Sequence, residues 1–395
     1  MNQIVNNLKG DRWIWLIVIL LSLISLLSVY SAIGSLAYKR GVGAESILIK
    51  HLAIMIGGLV LMYISHKLDY RYYAGISKLL MFITIPLLLY TLVFGAKLNE
   101  ASRWIAIPGT GLSFQTSDMA KLALITYLAR VLSRKQENIK DVKNSFIPII
   151  SSVCLVFVLI APANLSTGLM LFGVSILLLI IGRISIKQIA VVCGAGLVLL
   201  VIMLATGVGG RSGTHSSRID VFLHPEKADP AKTFQSDHAK IAIASGGFFG
   251  KGPGKSSEVN YLPEAYSDEI YAIIVEEYGM FGGIVLVGIY LFLLYRCIKI
   301  VTRAPKAFGA LLAAGLSFSL TIQAFANMAV AVGLGPVTGV PLPFVSMGGT
   351  SMLFTSIAFG IILSVSRDID EPKGAEEEIS SGNKIVVGQI SPLTP

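Results

Sequence analysis

The chain has 395 residues, of which 54% are hydrophobic and only 14% charged, and its formal net charge is +9. Soluble globular proteins carry about a quarter charged residues, so this composition excludes an ordinary soluble domain. The positive charge fits a surface that faces anionic membrane lipids, and we predict no nucleic-acid partner.

Ten apolar stretches approach the roughly 20 residues that are needed to cross a bilayer core. They lie at 13–34, 46–66, 78–96, 117–132, 146–161, 165–181, 188–206, 269–295, 307–333 and 347–366. The first is too long for the apolar region of a signal peptide, so we interpret it as a retained helix. We therefore predict an all-α polytopic membrane domain over residues 1–366, with about ten transmembrane helices.

Polar segments and the placement of lysine and arginine predict the topology. Residues 207–266 form one large extracytoplasmic loop between helices 7 and 8, and residues 367–395 form a disordered cytoplasmic tail. With the N-terminus in the cytoplasm, 19 of the 32 basic residues fall on cytoplasmic segments. Both termini are therefore predicted to be cytoplasmic.

Two shorter outer loops, residues 98–115 and 333–346, are rich in turn residues. Pro336, Pro341 and Pro343 preclude a continuous helix in the second loop. Non-helical backbone at membrane depth persists only where it is buried in protein or lines a wet cavity. We therefore expect the three outer loops to converge on one cavity that opens to the outside.

An acidic residue at the mouth of the eighth helix is the first candidate for chemistry. Asp268 follows Ser267, a good N-cap, which predicts a position in the first helical turn. It either complements the helix dipole or acts as a general base, and the local sequence leaves both open. On a straight helix, Glu276 could share the cavity of Asp268, whereas Glu277 would point away.

Two basic residues are candidates for binding a phosphate group. Lys121 interrupts the fourth apolar stretch, with Asp118 three residues earlier on the same helix face. The two either neutralise each other as an ion pair, or Asp118 orients Lys121 toward a phosphate. Arg103, beside Trp104 in the first outer loop, suits either a bidentate phosphate contact or a lipid headgroup.

Two other patterns indicate structure rather than chemistry. The run from Gly246 to Ser256 looks like a phosphate loop, but Phe249 stands where such a loop needs a glycine. We interpret it as a glycine-rich turn at the membrane surface. The histidines show no metal-ligand spacing, and the three cysteines suggest no metal cluster.

Four motifs, in this order on ten predicted helices, resemble the SEDS family (shape, elongation, division and sporulation proteins of the FtsW/RodA/SpoVE type). They are Ser102 to Ile105, Gln115 to Lys121, Tyr261 to Asp268 with Glu276 to Gly279, and Pro341 to Ser351. The glycine- and lysine-rich run before Tyr261 looks more like the division branch, the FtsW type, than the elongation branch.

The resemblance implies an inverting glycosyltransferase, a peptidoglycan polymerase that uses lipid II as donor and acceptor during cell division or elongation. It would act at the outer face of the bacterial cytoplasmic membrane. Asp268 takes the position of the family's essential aspartate and is the implied catalytic residue. The implied substrate-binding residues are Arg103, Lys121, Asp118, Glu276 and Ser346.

The resemblance also implies partners. These are lipid II itself (an undecaprenyl-linked disaccharide peptide), a class B penicillin-binding transpeptidase, and other division or elongation membrane proteins. A divalent cation, Mg²⁺ or Mn²⁺, could assist, although no ligand set is visible. The rival functions are a lipid II flippase or another transporter, and a non-catalytic division scaffold. Because the polar residues gather on one face, an enzyme is favoured over a transporter, which needs charges reachable from both faces.

Departures from the family pattern leave the proposed base intact. Tyr266 replaces the usual histidine before the catalytic Thr-Asp, and Asn164 replaces an aspartate in a turn between helices. Asp118 stands where the family usually has a glutamate, and Met347 replaces a tyrosine. Any contribution of the lost imidazole is therefore absent here.

Overall fold

A computed structural model describes residues 9–34, 36–37, 41–98, 101–107, 112–137, 139, 141–206 and 212–370. Helices dominate this part of the chain. They are α1 Arg12–Ala32, α2 Ala44–Lys67, α3 Tyr70–Phe94, α4 Thr116–Arg134, α5 Ile147–Ile160, α6 Leu165–Ile181, α7 Ile186–Thr206, α8 Ser212–Leu223, α9 Pro230–Gly246, α10 Ile270–Arg303, α11 Ala307–Ala331 and α12 Thr350–Asp370. A π-helical turn, Val142–Phe146, leads into α5.

A helix occupies each of the ten predicted apolar stretches, which confirms a mostly helical, polytopic fold. Among the described residues, seven helices are long and apolar enough to cross a bilayer. These are α1, α2, α3, α5 with its π-helical turn, α10, α11 and α12. The apolar parts of α6 and α7 are shorter, and α4 carries charged residues within its length. The count of ten spans therefore stays a prediction.

The first outer loop forms a small sheet that the sequence analysis did not predict. Strands β1 Ala96–Leu98, β2 Ala101–Ile107 and β3 Leu112–Gln115 pair antiparallel in the order β1-β2-β3. The turn residues that suggested a loop also punctuate hairpins, and the tryptophan and isoleucines of β2 favour a strand. Thr350, at the start of α12, donates a hydrogen bond from its hydroxyl to the carbonyl of Ser113 at 3.1 Å. The sheet is thereby fixed beside the N-terminal end of α12.

The helix α10 is broken two residues after its buried acidic pair, Glu276 and Glu277. Gly279 adopts φ 68° and ψ −174°, which interrupts the helix. The backbone amides of Lys251 and Gly252 donate to the carbonyls of Glu276 and Glu277, each at 2.9 Å. Backbone groups freed by a break must find partners at membrane depth, and the glycine-rich run provides them. The predicted turn is therefore a segment that packs against the break.

Two glycines of this run allow a matched test of that packing. Both have positive φ, +81° at Gly250 and +71° at Gly254, so alanine is strained at either by about 1–2 kcal/mol. A Cβ at residue 250 would lie 2.1 Å from the carbonyl oxygen of Glu277, whereas a Cβ at residue 254 would meet nothing within 4 Å. We expect Gly250→Ala to lower the thermal unfolding temperature far more than Gly254→Ala. Equal effects of the two substitutions would contradict this packing.

Candidate functional site

Asp268 lies just before α10 and not in its first turn, so the predicted position is wrong. The helix begins at Ile270, and its N-cap residue is Glu269, which makes no side-chain cap bond. Ser267 is used differently: its carbonyl accepts a hydrogen bond from the hydroxyl of Ser346 at 2.5 Å. The carbonyl of Asp268 accepts from Nδ2 of Asn327 at 2.6 Å. These tertiary hydrogen bonds override the preference of serine for an N-cap.

The proline-rich outer loop is held by amide side chains of α11. Nδ2 of Asn327 also donates to the carbonyl of Val340 at 2.9 Å, and Nε2 of Gln323 donates to that of Pro341 at 2.9 Å. The Ser346 hydroxyl, in a residue only 2% exposed, also accepts from a backbone amide of the same loop at 2.8 Å. Ser346 was predicted to bind substrate. In this conformation both of its hydrogen bonds go to backbone, so it positions the segment that carries Asp268.

Asp268 and Glu269 form a pair of adjacent carboxyl groups with unusual protonation. Burial, reinforced by the nearby charge of Glu264, raises the pKa of Asp268 to about 6. Burial and then Asp268 raise the pKa of Glu269 to about 8, against a hydrogen bond that Gln235 donates at 2.9 Å. Asp268 is therefore the more acidic carboxyl of the two. Its Oδ1 is buried and has no hydrogen-bond partner among the described residues.

A cavity of about 720 Å³ lies near this pair, although neither Asp268 nor Glu269 forms part of its wall. Its wall includes Arg218 on α8 and Lys232, Gln235 and Lys240 on α9. Gln235 connects the cavity with the pair through its bond to Glu269. The volume lies in the range of about 300–1,000 Å³ that is typical of ligand pockets. A cavity with three cationic side chains near this carboxyl pair suits an anionic substrate.

These three cations were missed by the sequence analysis, although a signal existed. Lys232, Ser236 and Lys240 recur at four-residue intervals, which places them on one helix face. Residues 207–266 were interpreted as a polar loop, so no helical period was sought there. Arg218 donates to the carbonyl of Val337 at 3.1 Å, and its charge acts to lower the pKa of Asp268.

Lys121 and Asp118 form the ion pair that was one of the two predicted alternatives. Nζ of Lys121 lies 2.8 Å from Oδ1 of Asp118 and 2.9 Å from Oε1 of Gln323. Asp118 is 3% exposed, and the cavity beside the pair measures only about 30 Å³. Because Gln323 also binds Pro341, the pair is connected to the loop that supports Asp268. A phosphate contact by Lys121 stays a prediction.

The carboxylate of Glu276 accepts hydrogen bonds from the glycine-rich run and the residues that follow it. It is fully buried and accepts from Nζ of Lys251 at 2.6 Å and from the amide of Ser257 at 3.0 Å, with a further hydrogen bond from the hydroxyl of Ser256. Glu277 accepts a hydrogen bond from Ser31 on α1. The straight-helix argument assumed that Asp268 lies within the helix, whereas it precedes α10. A substrate contact of Glu276 stays a prediction.

The remaining predicted site groups are Arg103 and a divalent cation. Arg103 lies on β2, and its side chain is outside the described residues. In the described part of the chain, no group of three or more His, Cys, Asp or Glu side chains is arranged to hold a metal ion. Asp268 supplies one carboxyl group, and Mg²⁺ is usually held by one or two carboxylates together with substrate phosphates. The role of Mg²⁺ or Mn²⁺ stays a prediction.

Together these features define a polytopic membrane protein with a carboxylate beside a cationic cavity at one end of its helical bundle. The chain belongs to the FtsW/RodA/SpoVE family of cell cycle proteins, whose family profile matches residues 11–371. This confirms the resemblance that was drawn from the four motifs.

Curated relatives match most of the chain. The "probable peptidoglycan glycosyltransferase FtsW" of Trichlorobacter lovleyi is 33% identical over 360 residues, which is 90% of this chain and 93% of the relative. Stage V sporulation protein E of Bacillus subtilis is 33% identical over 367 residues, 90% of this chain and 97% of the relative.

Solved structures show the same fold. A chain from a peptidoglycan synthase complex has a TM-score of 0.73 and 23% identity, with 92% of this chain and 99% of that chain covered. The rod shape determining protein RodA of Thermus thermophilus has a TM-score of 0.65 and 22% identity, with 91% and 97% covered.

Proposed function

We propose that the protein is an inverting glycosyltransferase that polymerises lipid II into glycan strands at the outer face of the cytoplasmic membrane. The observation that carries this proposal is the position of Asp268, the more acidic carboxyl of its pair, near a cationic cavity of about 720 Å³ to which Gln235 connects the pair. The relative from Trichlorobacter lovleyi, 33% identical to this chain, is named a probable peptidoglycan glycosyltransferase, which indicates the reaction class. A polymerase needs what this site offers, a proton acceptor together with cations for pyrophosphate.

The proposed reaction assigns a role to each group. The sugar hydroxyl of the acceptor attacks the anomeric carbon of the growing chain, and its proton passes to Asp268. The bond from that carbon to the pyrophosphate oxygen breaks, and polyprenyl pyrophosphate leaves with inversion. Cations stabilise the charge that develops on the leaving oxygen. Arg218, Lys232 and Lys240 join Arg103 and Lys121 as candidates for that role.

The proposed partners follow from the family. We assign lipid II as substrate, a class B penicillin-binding transpeptidase to crosslink the product, and other division or elongation membrane proteins as associates. A chain with this fold occurs in a solved peptidoglycan synthase complex, which supports assembly with a second enzyme. We place the protein in the bacterial inner membrane. A divalent cation, if bound, would help to neutralise the pyrophosphate.

Polymerisation of labelled lipid II tests the function directly. Purified protein with its transpeptidase partner should convert labelled lipid II into glycan strands that are resolved by gel electrophoresis. The same preparation in vesicles should not move lipid II between leaflets faster than empty vesicles. Translocation without polymer would favour the flippase, and neither activity would favour the non-catalytic scaffold.

Thiol labelling tests the proposed orientation. In a cysteine-free background, Lys255→Cys places a thiol on the exposed part of the glycine-rich run, and Glu137→Cys places one beyond α4. Both side chains are exposed, unlike Ser256, which is bound to Glu276. An impermeant reagent should label residue 255 and not residue 137 in intact cells. The reverse pattern would put Asp268 in the cytoplasm.

A further inference from the structure

A second cavity lies at the opposite end of α10 from Asp268. It measures about 230 Å³ and lies between the start of α1 and the ends of α10 and α12. The helix α12 begins at Thr350, near the outer loop whose Ser346 binds Ser267, and Ile369, which lines the cavity, is 19 residues further along it. At 1.5 Å per residue this is about 29 Å, close to the roughly 30 Å of a bilayer core. The cavity therefore belongs to the other membrane surface and is separate from the proposed active site.

The side chains that line this cavity carry mostly positive charge. Its lining contains four cationic side chains, Arg12, Arg296, Lys299 and Arg303, and one carboxylate, Asp11. Oδ2 of Asp11 accepts from Nε of Arg296 at 2.9 Å, and its Oδ1 accepts from the amides that begin α1. The carboxylate is therefore already engaged, and the lining keeps an excess of positive charge that suits an anionic ligand.

Aromatic residues mark this region as the membrane interface. Trp13, which lines the cavity, is 49% exposed and meets Phe292 edge to face, with ring centroids 5.6 Å apart. Nζ of Lys299 lies 4.6 Å from the ring centroid of Tyr295. Tryptophan and tyrosine concentrate at the level of lipid headgroups. A phosphate of a lipid at this level could reach the cations from the side of the bundle.

We propose that this cavity binds the phosphate group of an anionic phospholipid from the leaflet opposite Asp268. Basic pockets between transmembrane helices at one membrane surface are a recurring form of headgroup recognition. Soluble phosphate shares the same chemistry, but the exposed aromatic residues favour a ligand that carries acyl chains. The bound lipid would join the ends of α1 and α10, which Asp11 and Arg296 already connect.

Native mass spectrometry of the whole protein tests this site. Protein released from nanodiscs that contain phosphatidylglycerol and phosphatidylethanolamine should retain phosphatidylglycerol. The double variant Lys299→Gln, Arg303→Gln should retain about 10-fold less phosphatidylglycerol than the wild type does. The matched control Arg134→Gln, Lys187→Gln removes one arginine and one lysine from exposed positions at the same end of the bundle. It should retain the lipid as the wild type does.

Three outcomes would overturn the proposal. Equal retention by the two double variants would remove these cations from lipid binding. Equal retention of phosphatidylethanolamine and phosphatidylglycerol by the wild type would remove the selectivity for anionic headgroups. Displacement of the lipid by millimolar inorganic phosphate would assign the cavity to a soluble anion. Thermal unfolding of each variant distinguishes a lost ligand from a lost fold.

Discussion

Replacing Asp268 with asparagine is expected to lower the rate of lipid II polymerisation by about 10²-fold or more. Asparagine keeps the size of the side chain and removes the group that would accept the proton of the attacking hydroxyl. The hydrogen bond from Asn327 goes to the backbone carbonyl of residue 268, so it survives the substitution. Near-normal polymerisation by folded Asp268→Asn protein would rule out the general base.

Stability measurements on the Asp268→Asn variant are the control for its folding. Because the pKa of Asp268 is raised, the folded protein binds a proton more tightly than the unfolded chain, and stability falls as pH rises from about 4 to about 6. Asparagine cannot ionise, so the variant should be more stable than the wild type at pH 7.5. This difference should shrink as pH falls through that window.

Replacing Lys121 with methionine is expected to destabilise the protein by about 3–5 kcal/mol, because Asp118 is left as a buried, unpaired carboxylate. Thermal unfolding of the purified protein measures the loss. Asp118→Asn together with Lys121→Met removes both charges and should restore much of the stability. A single Lys121→Met variant as stable as the wild type would contradict the ion pair.

The same double variant separates the two roles of Lys121. If Lys121 contacts the pyrophosphate, the restored protein should stay inactive, because charge balance returns but the cation does not. If Lys121 only neutralises Asp118 and supports the outer loop through Gln323, the restored protein should polymerise lipid II. Full activity would reduce Lys121 to a structural residue and leave the cavity cations as the candidates for pyrophosphate.

Hydropathy predicted the helices well because a membrane-spanning helix must present about 20 apolar residues whatever its neighbours are. The motif resemblance likewise identified Asp268 as the residue to test. Its immediate surroundings were not predictable, because they depend on contacts across the chain. Asn327 lies 59 residues from Asp268 and Ser346 lies 79 residues from Ser267, and their side chains hold this part of the backbone.

The polar segments were the hardest to predict. The strands β1 to β3 and the helices α8 and α9 lie in regions where turn residues and polar composition suggested loops. Polar helices give no hydropathy signal, so the cavity cations Arg218, Lys232 and Lys240 were missed. The partner of Glu276 was missed for another reason, since the break at Gly279 draws the glycine-rich run against α10.

The pH dependence of polymerisation tests the central role of Asp268 most directly. A plot of the wild-type rate against pH should have a rising limb near pH 6, where Asp268 loses its proton. Glu264 helps to raise this pKa, so Glu264→Gln should keep activity and move the limb to lower pH. A rate that is constant from about pH 5 to 8, or a limb that Glu264→Gln leaves in place, would contradict Asp268 as the general base.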